Sequence, residues 1–330
     1  MQSSKAMMAA VASARRNLAG SVQVLRSNEQ LLAWCGEQRQ TRKAVHFVPT
    51  MGSLHAGHGA LIHQAGAPTA PGEGQDSEGL PAVLVSVFVN PTQFGPGEDF
   101  ECYPRSPESD CALAASAGAD AVWLPSVGDV YGDGGTSAPD DGRAVSPPPP
   151  YLLDGLCASG RPGHFEGVLS VMWRFLQLVG PDRVVMGEKD YQQLQVVRHF
   201  VSALELPTAI DACATAREPD GLALSSRNKR LTARHRAIAP GLYSALRKCA
   251  SALAAGMPAG EQVSLARSGL LRGGFSSVEY FELRCSDTLQ VLDSARSPLA
   301  RLFAAVHLGD VRLIDNVPIL CTHMHTLGDP

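Results

Sequence analysis

The 330-residue chain has no long apolar run, no CxxC pair, no excess of basic charge and no internal repeat. Its longest apolar stretch, 167–180, is short and carries Arg174, which excludes a transmembrane span. Lys+Arg number 28 against 32 Asp+Glu, a net charge of -4, so nothing marks a nucleic-acid footprint. The eight cysteines, at 35, 102, 111, 157, 213, 249, 285 and 321, lack zinc-type spacing. They read as reduced, mostly buried thiols of a reducing compartment, by default the cytoplasm. Ser/His/Asp and Cys/His nucleophile strings are absent too. A chain of this size buries about 75% of its unfolded surface, so its core needs neither disulfides nor a metal. Apolar residues at 45% and charged residues at 18% are ordinary for a globular protein.

Charge is unevenly spread. Residues 1–28 hold Lys5, Arg15, Arg16 and Arg26 and no acidic group. Removing these 4 leaves 24 basic against 32 acidic residues, or -8, in the remainder. Such an acid-free end, with Met7, Met8, Val11 and Leu18, has two readings: an organelle-targeting segment or a disordered extension over 1–20. Two Gly/Pro-rich stretches, 66–79 and 132–150, read as exposed insertions, and Pro147–Pro150 as a stiff polyproline spacer.

Between these loops strand and helix patterns alternate. Strands are expected at 44–48, 82–89, 121–124, 183–186 and 208–213. Helices are expected from Gly57, from a Ser106 N-cap with Pro107 at the first position, and over 168–179 and 191–204. The run AVLVSVFV (82–89) suits a strand buried on both faces. This alternation implies an α/β domain with a parallel sheet and right-handed crossovers, over 21–215. After about Ala216 the pattern changes. One long helix over 232–255, kinked at Pro240, precedes strands at 278–284, 302–308 and 311–314, the last two joined at Gly309-Asp310. A smaller α+β domain therefore spans 216–330.

Ligands of open parallel sheets bind beyond the carboxyl ends of the strands. Three polar clusters begin there: PTMGSLHAGH (49–58), NPTQF (90–94) and GEKD (187–190). They are expected to converge on one crevice. His55 and His58, three apart at a helix start, suit a polyphosphate, helped by first-turn amides and the helix dipole. Gly52 and Gly57 permit close backbone approach. One histidine satisfying a core hydrogen bond, or a metal pair, are the other readings. Lys189 suits phosphate as a point charge, or pairs with Glu188 or Asp190. Asp190 suits a ribose, or caps the next helix. LSSRN (224–228) offers two hydroxyls and a guanidinium for terminal phosphates, and equally suits a solvated turn. Gln93 and Gln193 suit a small hydroxy acid, or are surface amides.

These strings, with DFECYPR (99–105), RPGHFEGV (161–168), DGLALSSRN (220–228) and LGDVRLIDN (308–316), resemble the pantothenate synthetase (pantoate–β-alanine ligase) family. PTMGSLHAGH is similar to the HIGH-type signature of the nucleotidylyl-transferase superfamily. The resemblance runs from about 45 to 316. It implies a Rossmann-like amino domain, a smaller carboxyl domain and usually a homodimer; because an adenylate hydrolyses in water, the carboxyl domain is further expected to close over the site as a lid. It implies condensation of pantoate with β-alanine, using ATP and Mg²⁺, through a pantoyl adenylate. By position, His55, His58 and Lys189 would be catalytic. Met51, Gly57, Gly187, Lys189, Asp190, Ser225, Ser226 and Arg227 would meet ATP. Gln93 and Gln193 would bind pantoate, and Asp99 would face the magnesium. Neither nucleic acid nor membrane is expected as a partner.

The chain departs from the family pattern at both insertions, at the amino extension and at Glu166, where the family is often basic. A related adenylyl- or cytidylyl-transferase is the nearest competing reading, and VNPTQF and YQQL argue against it. A silent ligand-binding protein is the other, and the presence of His55, His58 and Lys189 argues against that.

Overall fold

The computed structural model describes residues 22–68, 79–132 and 148–320. The amino extension, Cys321 and most of both insertions lie outside the described residues. The elements in chain order begin with β1 (Gln23–Leu25), α1 (Asn28–Gln40), β2 (Val45–Thr50), α2 (Ala56–Ala65), β3 (Ala82–Val87), α3 (Pro107–Ala117), β4 (Ala121–Trp123) and α4 (Val127–Tyr131). Then come α5 (Pro150–Leu153), α6 (Leu156–Gly160), α7 (His164–Val179), β5 (Arg183–Gly187), α8 (Tyr191–Ala203) and β6 (Ala209–Cys213). The last are α9 (Ala233–Ile238), α10 (Gly241–Ala254), α11 (Ala259–Arg272), β7 (Ser277–Cys285), β8 (Ala300–Leu308) and β9 (Val311–Pro318).

The chain forms two compact units. The first holds the described residues up to 132 with Arg161–Glu188 and Val196–Ala214. The second holds Pro148–Gly160, Lys189–Gln195 and the described residues from Thr215 onward.

The first unit is the expected parallel α/β sheet, in the order β1-β4-β3-β2-β5-β6. Side chains alternate between faces along each strand, and both faces are apolar. Val48, Val83, Val85 and Val122 face a layer that includes Ile62 of α2 and Ala114 and Ala117 of α3. Phe47 and Trp123 point the other way, to Phe175 of α7, with ring centroids 5.6 and 5.3 Å from it. The order reverses between β2 and β5. In such sheets this reversal opens a crevice at the strand ends. Thr50 pairs with Val87, and Phe47 with Val184. Extending the second register by three residues sets Gly187 level with Thr50. The loops after β2, β3 and β5 therefore leave from one edge.

The second unit carries the antiparallel sheet β7-β8-β9. Leu302, Ala304, Val306 and Leu308 of β8 join Leu242 and Leu246 of α10 and Leu270 of α11 in one core. Leu308 pairs with Val311, so Gly309-Asp310 forms the expected two-residue turn.

Several expectations need correction. The helix over 232–255 is two helices, with Ala239 and Pro240 between them. Proline has no N–H to donate back to residue 236, and its ring crowds that carbonyl. Pro49 and Thr50 belong to β2 rather than to the loop. Ser106 stands at the N-cap of α3, but its side chain makes no capping bond. Within the proline run Pro150 opens α5, a position where its fixed φ is favourable. Helices α1 and α11 were not expected. Only Leu31, Trp34 and Cys35 of α1, and Ala259 and Leu270 of α11, are buried, so the apolar period is faint.

Candidate active site

Beyond β2 the chain turns through two left-handed residues, Gly52 (φ 82°) and Ser53 (φ 49°). Thr50 starts the turn. Its hydroxyl donates to the Ser86 carbonyl at 2.6 Å and accepts from the Gly52 N–H at 3.1 Å. The buried Asp110 of α3 closes the turn, accepting from the Ser53 N–H at 3.0 Å and the Leu54 N–H at 2.7 Å. Helix α2 then starts on a reciprocal cap. The Gly57 N–H donates to His55 Nδ1 at 3.1 Å, and the His55 N–H donates to His58 Nδ1 at 3.2 Å. The two rings lie 4.1 Å apart.

The amides of His55 and Gly57 are engaged by imidazoles, and that of His58 donates to the His55 carbonyl. Two of the first-turn amides, those of Gly57 and His58, are therefore engaged within the cap. A ring nitrogen that accepts a hydrogen bond carries no proton, so each neutral imidazole is held as its Nε2–H tautomer. The histidines thus have a structural role as caps, and the proton of each neutral ring sits on Nε2.

The cluster after β3 forms a tight 3-10 turn, Pro91–Gln93. Gln93 is buried. Its Oε1 accepts from Asn90 Nδ2 at 3.2 Å and its Nε2 donates to Met51 Sδ at 2.8 Å, which joins the first two clusters. Asn90 is held by the Tyr131 hydroxyl at 2.8 Å and itself donates to the Gly167 carbonyl at 3.1 Å. A Cβ on Gly167 would lie 2.1 Å from the Thr92 carbonyl oxygen, so only glycine allows α7 to approach this turn so closely.

The Gln93 carbonyl is gripped from RPGHFEGV. His164 Nδ1 lies 2.8 Å from it and Arg161 Nη2 donates at 3.3 Å. Arg161 Nη1 also donates to His164 Nε2 at 2.9 Å, which puts the His164 proton on Nδ1. Arg161 is locked by Glu98 through two bonds of 2.8 and 2.6 Å. Burial acts to raise the Glu98 carboxyl, but the hydrogen bond and charge of Arg161 outweigh it and hold the group below its ordinary value. Glu166 is exposed in the first turn of α7, where a carboxylate suits the helix dipole.

Lys189 follows β5 by two residues. Its Nζ lies 3.5 Å from Asp190, a half-exposed carboxylate, so the expected local pairing is present and weak. Its backbone is anchored within the second unit, where Asn316 Nδ2 donates to the Lys189 carbonyl at 3.1 Å. The adjacent buried Asp315 takes a two-pronged pair from Arg217 at 2.6 and 2.9 Å. Arg217 donates onward to the Gly221 carbonyl at 3.1 Å and stacks on Tyr243. The LIDN string thus fixes the bases of the loops that carry Lys189 and Ser225–Arg227. Ser225 caps its 3-10 turn, accepting from the Arg227 N–H at 3.3 Å, and Ser226 is buried.

The first unit therefore brings Met51, His55, Gly57, His58 and Gln93 to one edge of its sheet, where Gly187 ends β5. A Cβ at Gly187 would meet only Leu61, at 3.9 Å, so protein packing does not require that glycine. The second unit holds Lys189, Asp190, Gln193, Ser225, Ser226 and Arg227. Gln193 is half-buried, whereas its neighbour Gln192 is spent on the Cys157 N–H and the Leu152 and Gly155 carbonyls. Asp99 lies half-buried in the turn after Gln93. Among the described residues no group of three or more His, Cys, Asp or Glu could cage a metal. Magnesium needs none, since it binds through one or two carboxylates and substrate phosphates. Sequence reasoning did not assign roles to Asn90, Asp110, Arg161 or His164. Asn90, Arg161 and His164 stood inside quoted motifs, and Asp110 had no signal.

A parallel α/β sheet with an imidazole pair capping the helix after a central strand defines a HIGH-type nucleotide-binding protein. The family model for pantoate-beta-alanine ligase matches residues 23–318, and the chain belongs to that family. It is 42% identical over 299 residues to the pantothenate synthetase of Paramagnetospirillum magneticum, covering 91% of this chain and 98% of that one. It is 43% identical over 283 residues to the bifunctional pantoate ligase/cytidylate kinase of Synechococcus elongatus, covering 86% of this chain and 50% of that one. Among solved structures, the pantothenate synthetase from Thermus thermophilus superposes with a TM-score of 0.78 at 37% identity, over 90% of this chain and 99% of that one. The pantoate-beta-alanine ligase from Francisella tularensis, complexed with beta-gamma ATP and beta-alanine, gives 0.70 at 32% identity, over 90% and 97%.

Proposed function

We propose that the protein joins pantoate to β-alanine in two steps driven by ATP. In the first, a pantoate carboxylate oxygen attacks the α-phosphorus, the bond to the bridging oxygen breaks, and diphosphate leaves. In the second, the β-alanine amine attacks the acyl carbon of pantoyl adenylate. AMP leaves and the nitrogen loses a proton, giving pantothenate. Family membership supports this reading, as does the solved pantoate-beta-alanine ligase complexed with beta-gamma ATP and beta-alanine.

The observation that carries it is the reciprocal cap at 55–58. Displacement at phosphorus needs in-line placement and neutralisation of oxygen charge more than covalent help. Two preset Nε2–H donors answer that need, because their tautomers do not have to reorganise during the reaction. We assign Lys189, Ser225, Ser226 and Arg227 to the phosphates, Gly187 and Asp190 to the ribose, and Met51 and Gly57 to nucleotide contact. Gln93 and Gln193 are assigned to pantoate. Asp99 is assigned as the protein carboxylate that would face the Mg²⁺ accompanying ATP, which when bound would neutralise phosphate charge. We further propose a homodimer, to be read by analytical ultracentrifugation, acting in the cytoplasm unless residues 1–20 direct it to an organelle.

The test is an assay with ATP, Mg²⁺ and pantoate, with β-alanine added second. Pantoate-dependent ATP–diphosphate exchange should precede the amine, and AMP release should require both. Exchange supported by another acid in preference to pantoate would overturn the assignment. Lys189→Ala should lose exchange while retaining much of the conversion of preformed pantoyl adenylate to pantothenate.

A further inference from the structure

We infer that Asp110, outside every motif assigned above, is a positioning residue for the first half-reaction, and that it acts by setting the backbone from which His55 and His58 project. This rests on the reading of those histidines just given. The carboxylate is 1% exposed. Burying a charge is costly unless it is hydrogen-bonded, and here both oxygens are used. Oδ2 takes the Ser53 N–H at 3.0 Å and Oδ1 takes the Leu54 N–H at 2.7 Å. Hydrogen bonds to an ionised acceptor are the stronger kind. Asp110 also lies in the first turn of α3, where the helix dipole favours a negative charge.

The turn it grips would not hold this shape unaided. Ser53 is a non-glycine residue at φ 49°, and such conformations persist only when their surroundings over-determine them. Gly52 precedes it at φ 82°, and a Cβ there would lie 2.9 Å from both Asp110 Oδ2 and Val87 Cγ1. The carboxylate and the strained turn therefore fit each other without slack. The histidine cap begins immediately after Leu54, so the direction of both imidazoles is set by the two amides that Asp110 holds. A group of this kind contributes only where the imidazoles act, on the triphosphate, and not where an amine attacks an acyl carbon.

The experiment compares wild type, Asp110→Asn, Asp110→Ala and His55→Ala in the two half-reactions separately. Exchange is measured with ATP and pantoate, and aminolysis with preformed pantoyl adenylate and β-alanine. Asp110→Asn keeps one acceptor and turns an NH₂ toward the other amide. It should lower kcat for exchange about 10-fold and leave aminolysis within about threefold. Asp110→Ala should lose on the order of 100-fold in exchange, the size of effect produced by an ångström of misplacement. If Asp110→Ala does not fold, the isosteric amide decides alone. Equal losses in both half-reactions, or exchange by Asp110→Asn within twofold of wild type, would overturn the inference. A His55→Ala enzyme that keeps normal exchange would instead sink the functional reading on which it rests.

Discussion

An imidazole that accepts a backbone hydrogen bond at one nitrogen has its proton, and hence its direction of donation, decided by the main chain. His55 and His58 are both in this state. Replacing His55 by alanine removes a donor and one half of the cap. We expect kcat for the overall reaction to fall on the order of 10²–10³-fold, as when an oxyanion donor is removed. Steady-state kinetics would check this, and a variant within threefold of wild type would contradict the role. A second residue-scale prediction concerns Glu98. Its carboxyl is held below its ordinary value of 4.5 by Arg161. A depressed carboxylate contributes stability that is present above the unfolded value and lost as pH falls through the folded one. Urea midpoints of wild type and Glu98→Gln should therefore differ at pH 7 and draw together as pH falls below about 4.5. The HxGH string made its histidines legible in the sequence, because a helix start and a spacing of three are local facts. Asp110 was not legible, because its partners lie 56 and 57 residues away.

At the scale of elements, the site depends on how closely α7 approaches the turn after β3. Gly167 sets that distance. Its missing Cβ would lie 2.1 Å from the Thr92 carbonyl oxygen and 2.6 Å from the Gln93 nitrogen, both of them backbone atoms that cannot rotate away. Gly167→Ala should cost about 1–3 kcal/mol by overpacking and should raise KM for pantoate, because the displaced turn carries Gln93. Gly269 in α11 is the contrast, since a Cβ there meets nothing within 4 Å. Gly269→Ala should stabilise by up to about 1 kcal/mol and leave KM unchanged. Thermal melts of the two variants, read beside pantoate titrations, separate the cases. The strands were legible because two-faced burial leaves an unbroken apolar run, as in β3. Helix α11 was not, because it buries little. The break between α9 and α10 was visible as Pro240 but was read as a kink, since a proline alone does not say whether the chain resumes in line.

Over the whole molecule, the change of pattern near residue 216 is a local property of the sequence. The membership of 148–160 and 189–195 in the second unit is not. It rests on pairings such as Gln192 with the Cys157 amide and Arg284 with the Asp154 carbonyl, which no stretch of sequence announces. Cohesion without covalent links is a whole-molecule property that can be measured. All seven described cysteines are free thiols. Burial pushes the Cys35 and Cys249 thiols up to about 11, and Cys102 is exposed. Burial also works upward on Cys285, but hydrogen bonds with Thr288 and Asp287 draw that thiol below its ordinary value. The thiolate is the reactive form, so accessibility and acidity together order the sites. In native protein at about pH 8, a maleimide should label Cys102 and Cys285 first. Cys35 and Cys249 should label only after denaturant is added, as read by peptide mass mapping. A disulfide stabilises mainly by restricting the unfolded chain, so free thiols at all seven described positions leave reductant nothing to release among them. The melting temperature should be the same with and without dithiothreitol. A drop of several degrees on reduction would mean that a covalent bridge, rather than apolar burial, holds the fold together.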